Sequence, residues 1–226
     1  MKTYALAVAA LGCAVAPLAV ADSVVVDGGA TSVALDTQTL ADAASLVLSG
    51  VSDDVTAPGA LEGSVAFDIV DRTSFAYDSD DFLNSFSGSI EHDGSVFFND
   101  GSVEVGDFSI GYDADRAGTL NGAASGFFVE STTGIAAILF DVAAPSALSA
   151  SDESLSLTAD LLVSPEFGGF LADNGLSQGN LAGADVGDAQ VNATAGPDPT
   201  AIPTPAATVL GLAGLGGMAL RRRSRA

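Results

Sequence analysis

Positive charge is almost missing from this chain. Its 226 residues carry 29 Asp and Glu against seven Lys and Arg, a formal net charge of -22. Lys2 stands near the start and Arg221, Arg222, Arg223 and Arg225 near the end, so among the carboxylates between Asp22 and Asp198 only Arg72 and Arg116 are cationic. A surface of that sign repels phosphate backbones and excludes nucleic acid as a partner. It reads as the solvated acidic coat of an extracellular protein. Cysteine is limited to Cys13, so the body has no disulfide and no thiol nucleophile. Tryptophan is absent and tyrosine is limited to Tyr4, Tyr77 and Tyr112, which leaves few of the rings that stack on sugar faces. His92 is the only histidine. A zinc site needs several imidazoles or thiolates, and a Ser-His-Asp hydrolase needs a histidine beside an exposed serine elbow. No Gly-x-Ser-x-Gly is present. His92, within "EHDGS", is expected as a solvated residue of a hairpin turn. No catalytic residue is assigned.

Both ends read as addresses. "MKTYALAVAALGCAVAPLAVADS" has a basic start at Lys2, an apolar stretch from Ala5 to Ala16 and the small-residue site Ala19-Val20-Ala21. That is a secretory signal peptide over residues 1–21, with cleavage after Ala21. At the other end Ala206 to Leu220 is free of charge. Extended by Ile202 to Pro205, the run approaches the ~20 residues of a bilayer-spanning helix. Arg221, Arg222, Arg223 and Arg225 then act as a cytoplasmic stop, so a transmembrane sorting helix with an Arg-rich tail is expected over 206–226.

The order Pro203-Thr204-Pro205, small residues, a Gly/Leu-rich apolar run and a closing Arg cluster resembles the PEP-CTERM sorting signal, whose common form has Glu between the prolines. The resemblance implies an exported bacterial protein anchored transiently in the inner membrane. There an exosortase-type enzyme would process it on its way to the cell surface or extracellular matrix. The β-rich segment 87–142, with "DLLVSPEF" and "AGADVGDAQVNAT", is similar to the bodies of other such proteins. It implies a fold class and a location, with no assigned activity.

Between the addresses, residues 22–195 alternate short β-rich runs with turn signals. "DSVVVDGGATSVALD" reads as two strands around an Asp-Gly-Gly turn. Val65, Phe67 and Ile69 share one face of a strand, and Asp-Gly pairs at 93–94 and 100–101 each predict a hairpin. Further runs follow at "SGFFVEST", "AAILFDVA", "ESLSLTADLLVS" and "GADVGDAQVNAT". The spacing predicts an all-β domain, an antiparallel β-sandwich or jelly-roll-like barrel. Helix is expected only at "TQTLADAASLVL", capped by Asp36 or Thr39, and at "SPEFGGFLADNG", where Ser164 caps and Pro165 takes the first position. For Ser45 to Leu48 a strand reading stands beside the helical one. Residues 196–205 form a Pro-rich linker carrying the sorting motif.

Two functions follow. One is a non-catalytic surface or matrix protein with a role in exopolysaccharide-associated material or adhesion. The other is an extracellular carbohydrate-binding or carbohydrate-active module, calcium-dependent if its Asp-rich loops hold that ion. "DSDD" and "DADRAG" set Asp78 with Asp80, and Asp113 with Asp115, at the i, i+2 spacing of hard oxygen ligands. Ala117 and Ala124 stand where an EF-hand needs ligands, so that motif is excluded. Asp side chains that cap their own turns give the same pattern without a metal.

Overall fold

Alternating apolar and polar residues become strands wherever a neighbouring strand can take up their backbone groups, and here nearly every run finds one. The computed structural model describes residues 23–198. Its strands are β1 (Ser23–Leu35), β2 (Leu48–Val51), β3 (Val65–Asp68), β4 (Ala76–Asp78), β5 (Ile90–Glu91) and β6 (Ser95–Phe98). They continue with β7 (Val103–Tyr112), β8 (Ala124–Gly134), β9 (Ala137–Ala143), β10 (Ala147–Ala150), β11 (Ser154–Val163) and β12 (Asp185–Pro197). Between them lie α1 (Thr37–Ala44), α2 (Phe82–Ser85), α3 (Thr119–Gly122) and α4 (Pro165–Asp173). The signal-peptide residues Ala19 and Ala21, the motif Pro203-Thr204-Pro205 and Arg221, Arg222, Arg223 and Arg225 lie outside the described residues. Among the described residues no helix is long and apolar enough to cross a membrane.

The domain is all-β and antiparallel. Its twelve strands belong to one hydrogen-bonded sheet in the order β2-β6-β7-β8-β9-β11-β12-β1-β3, with β10 on β11, β4 on β1 and β5 on β7. The sheet curls until its ends meet. Across the seam Ile69 and His92 form an isolated bridge, and Ala76 and Ser87 another. Between these, Val70 N–H donates to the Glu91 carbonyl at 3.0 Å and Ser74 N–H to the Ser89 carbonyl at 2.9 Å.

Two turn expectations and one element boundary need correction. Asp27-Gly28-Gly29 is not a turn: β1 runs through it as one 13-residue strand, shifted in register against β12 between Val26 and Gly28. A turn there would strip β12 of its partner. Gly29, at φ +106°, lets the strand pass so close to the Asn192 carbonyl that a Cβ would sit 2.2 Å from it. Asp93-Gly94 is not a hairpin turn either. β5 and β6 both pair with β7, so the chain continues past it as a bulge facing a second irregularity at Asp107. Asp107 fixes the two, accepting from Gly94 N–H and donating its own N–H to the Gly94 carbonyl. The bulge shifts phase by one residue, so Val105 and Phe108 both face inward. The hairpin turn lies at Asn99-Asp100-Gly101, all three at positive φ. The third correction is at Ser45: it ends α1 in a left-handed conformation, and the strand that follows starts at Leu48.

Both expected helices form. Asp36 Oδ1 accepts from Thr39 N–H at 3.0 Å to start α1, and Ser164 Oγ accepts from Phe167 N–H at 3.0 Å to start α4, with Pro165 first in the helix. They turn Leu40 and Ala44, and Phe167 and Leu171, onto the sheet's inner face. There these residues join a core with Phe67, Phe98, Phe108, Leu139 and Leu161. A second cluster holds Val24, Phe75, Tyr77, Phe82, Ile90 and Leu155, and half-buried Phe127 and Leu157 pack against both. Each such side chain contributes about 1.5–3 kcal/mol on burial, so this interior stabilises a body that has no disulfide.

Candidate functional site: the interior of the curled sheet

Among the described residues the core holds a cavity of about 60 Å³ and another of about 40 Å³. Ile110, Val129, Leu161 and Ala189 line both, so a single layer of side chains separates them. The larger is walled by Phe67, Phe108, Leu139 and Phe167, and its polar lining residues are Thr31 and His92. The smaller lies under the aromatic cluster of Phe75, Phe82 and Phe127. From there rings continue outward: Phe86 is 4.9 Å from Phe127 and 4.8 Å from Tyr112, edge-on to the latter. Tyr112 is 42% exposed.

His92 departs most from expectation. It is 1% exposed, the most buried polar group of the seam. Strand continuity past Gly94 carries it inside, where a hairpin turn would have left it in water. Its backbone N–H and its Nδ1 both reach the Phe108 carbonyl, at 2.9 and 3.1 Å. A carbonyl only accepts, so Nδ1 carries the proton, and Nε2 accepts from the Thr31 hydroxyl at 2.8 Å. Burial pushes its pKa below the ordinary 6.5, partly offset by the bond to Phe108. With both nitrogens committed, the ring joins β1 to β7 and holds no free lone pair for a reaction.

Arg116 organises a second polar cluster, whose residues line neither cavity. Its Nε and Nη2 donate to both Asp141 oxygens at 2.7 and 2.9 Å. Its Nη1 and Nη2 donate to both Glu166 oxygens at 2.8 and 3.0 Å. The guanidinium also lies 5.8 Å from the centre of the Phe128 ring. Asp141 is fully buried on β9, and Glu166 stands in the first turn of α4. The guanidinium holds the Glu166 carboxyl below its usual range, and its bonds to Glu166 and Asp141 push its own pKa up. One cation thus fastens the 113–123 loop to β9 and α4. The two carboxylates come together as a clasp, each engaged on both oxygens.

The four proposed calcium ligands fall in two separate turns. Asp78 Oδ1 accepts from Asp80 N–H, and Asp113 Oδ1 from Asp115 N–H, each at 2.9 Å. Among the described residues no group of three or more His, Cys, Asp or Glu is placed to hold a metal ion. Asp113 instead shapes the loop, where its carbonyl accepts from Arg116 N–H at 3.1 Å in the 3-10 turn that aims Arg116 at its partners. Sequence reasoning passed over Arg116, although one of only two cations amid 29 carboxylates was a signal that it would be claimed by more than one.

The fold and this interior define an antiparallel all-β domain curled around an apolar core. No family model matches the chain, and no curated protein does. Among solved structures, the C-terminal domain of HtaA from Corynebacterium glutamicum is similar at 18% identity. The match covers 76% of this chain and 99% of that domain with a TM-score of 0.49, a level that supports no functional argument.

Proposed function

We propose that this chain is a non-catalytic surface or extracellular-matrix protein, exported through its N-terminal leader and sorted by its C-terminal signal. The carrying observation is the order of Pro203-Thr204-Pro205, the uncharged run Ala206 to Leu220 and Arg221, Arg222, Arg223 and Arg225. In that order an inner-membrane exosortase-type enzyme is the processing partner. The acidic body suits a hydrated matrix, because net charge far from zero keeps copies apart and soluble. A tagged chain with and without residues 203–226, expressed in a host with such an enzyme, tests this. The intact chain is expected at the surface and the truncated one in the medium or periplasm. Identical fates overturn the reading.

Exposed Tyr112, at the outer end of the Phe127-Phe86-Tyr112 series, favours a second reading: a carbohydrate-binding module, with sugar stacking on that ring. Retention on host exopolysaccharide, compared for wild type and Tyr112→Ala with calcium or chelator present, tests it. Equal elution of both proteins from the column and from a blank matrix ends it.

A further inference from the structure

The seam of the curled sheet is its thinnest joint. On the far side of the curled sheet the ladders are long, with β1 paired to β12 over almost their whole lengths, and even the short β9–β11 joint has a three-residue ladder. The seam has isolated bridges at Thr56–Ala66, Ile69–His92 and Ala76–Ser87 with single bonds between them, and β5 is two residues long. His92 sits at the centre of it. Its backbone bridges Ile69, its N–H and ring bond Phe108, its Nε2 holds Thr31, and its carbonyl accepts from Arg72 Nη2 at 2.8 Å.

We propose that this joint is an acid-sensitive latch, in which a proton on His92 unfastens the seam while the β11-β12-β1 ladders stay paired. An imidazolium there would face the Phe108 carbonyl, the Thr31 hydroxyl and the apolar walls of Phe67 and Val96. No carboxylate bonds the ring. Glu91, on the same strand, is held by the hydroxyls of Ser89 and Ser109. Asp93 pairs with Arg72 at 2.5 Å, and Asp107 of β7 is taken up by Gly94 N–H and the Thr133 hydroxyl. Thr31 of β1 and Ile69 of the seam bring no charge. A buried charge without a partner is costly, and opening the seam brings water to it.

Composition makes the latch selective. His92 is the chain's only side chain whose ordinary pKa lies between 5 and 8. As pH falls through that window the unfolded or opened chain takes up the proton before the closed one does. Closure is therefore full above about 6.5 and weakens below it, by up to tenfold per pH unit for one proton.

Hydrogen exchange and urea unfolding of the full chain from pH 7.5 to 5 test the latch. Below pH 6.5 the urea midpoint is expected to fall. The amides of Val70, Ser74 and Ser87, which bond across the seam, are expected to lose protection before those of Val191 and Ala193 in β12. His92→Gln is expected to flatten the profile. If that variant fails to fold, the ring resonances of wild type decide, since one histidine gives one unambiguous signal. A native ring that titrates at 6.5 or above, a midpoint constant over the window, or seam and β12 amides that exchange together overturns the proposal. The outcome is independent of the sorting experiment, which reads the 203–226 segment alone.

Discussion

Asp141 buries a carboxylate with no exposure, and only the Arg116 guanidinium makes that tolerable. Arg116→Ala strands the charge, and the expected loss is about 3–5 kcal/mol in urea unfolding. Arg116→Lys does not restore it, because an ammonium cannot match two carboxylates edge to edge. Glu166, on the solvent side of the same clasp with its side chain 45% exposed, is different. There Glu166→Gln is expected to cost less than about 1 kcal/mol, since water screens and replaces that bond. Its depressed pKa means that the bond stabilises the fold above the ordinary carboxyl pKa of 4.5 and is lost as pH drops below it. The pH dependence of Glu166→Gln and wild type should therefore differ only on the acid side of 4.5, well apart from the His92 window.

At the scale of elements, α4 hangs on one hydroxyl. Ser164 Oγ accepts from Phe167 N–H and donates to the Ile138 carbonyl at 2.7 Å, out of reach of water. Ser164→Ala removes both and is expected to cost about 1–2 kcal/mol, the upper part of the range for a capping residue. The strands can be probed at glycine. Gly29→Val sets a Cβ against the Asn192 carbonyl, at a positive φ that costs about 1–3 kcal/mol by itself. Gly101→Ala, also at positive φ but in open space, meets only the backbone strain and should stay nearer 1 kcal/mol. Thermal unfolding of the pair separates the crowding from the strain. Both helices, and the runs that became β7, β8, β9, β11 and β12, were legible because local caps and alternation decide them. The bulges at Val26/Gly28 and Gly94/Asp107 were not. In both places the residues spell a turn, and only pairing with a long strand overrides it, distant β12 in the first case and adjacent β7 in the second. β10, with three exposed residues of four, left no alternation to read. The seat of His92 was hidden for the same reason as the bulge beside it.

At the scale of the whole molecule, two arginines face 29 carboxylates between Asp22 and Asp198, and self-repulsion opposes the compact state. Raising NaCl from about 0.05 to about 0.5 M shortens the screening length and should raise the melting midpoint. Calcium is expected to do no more than magnesium at equal ionic strength, because the Asp78 and Asp113 turns use their carboxylates on their own backbone. A calorimetric scan in each salt reads this; a rise specific to calcium would restore a metal site. The scarcity of cations has a further effect on endurance. A peptidase that cuts after basic side chains finds two scissile bonds in this body. At the second, its specificity pocket must first pull the guanidinium from between Asp141 and Glu166. The body thereby offers one accessible nick, after Arg72, and keeps the other locked by its own fold.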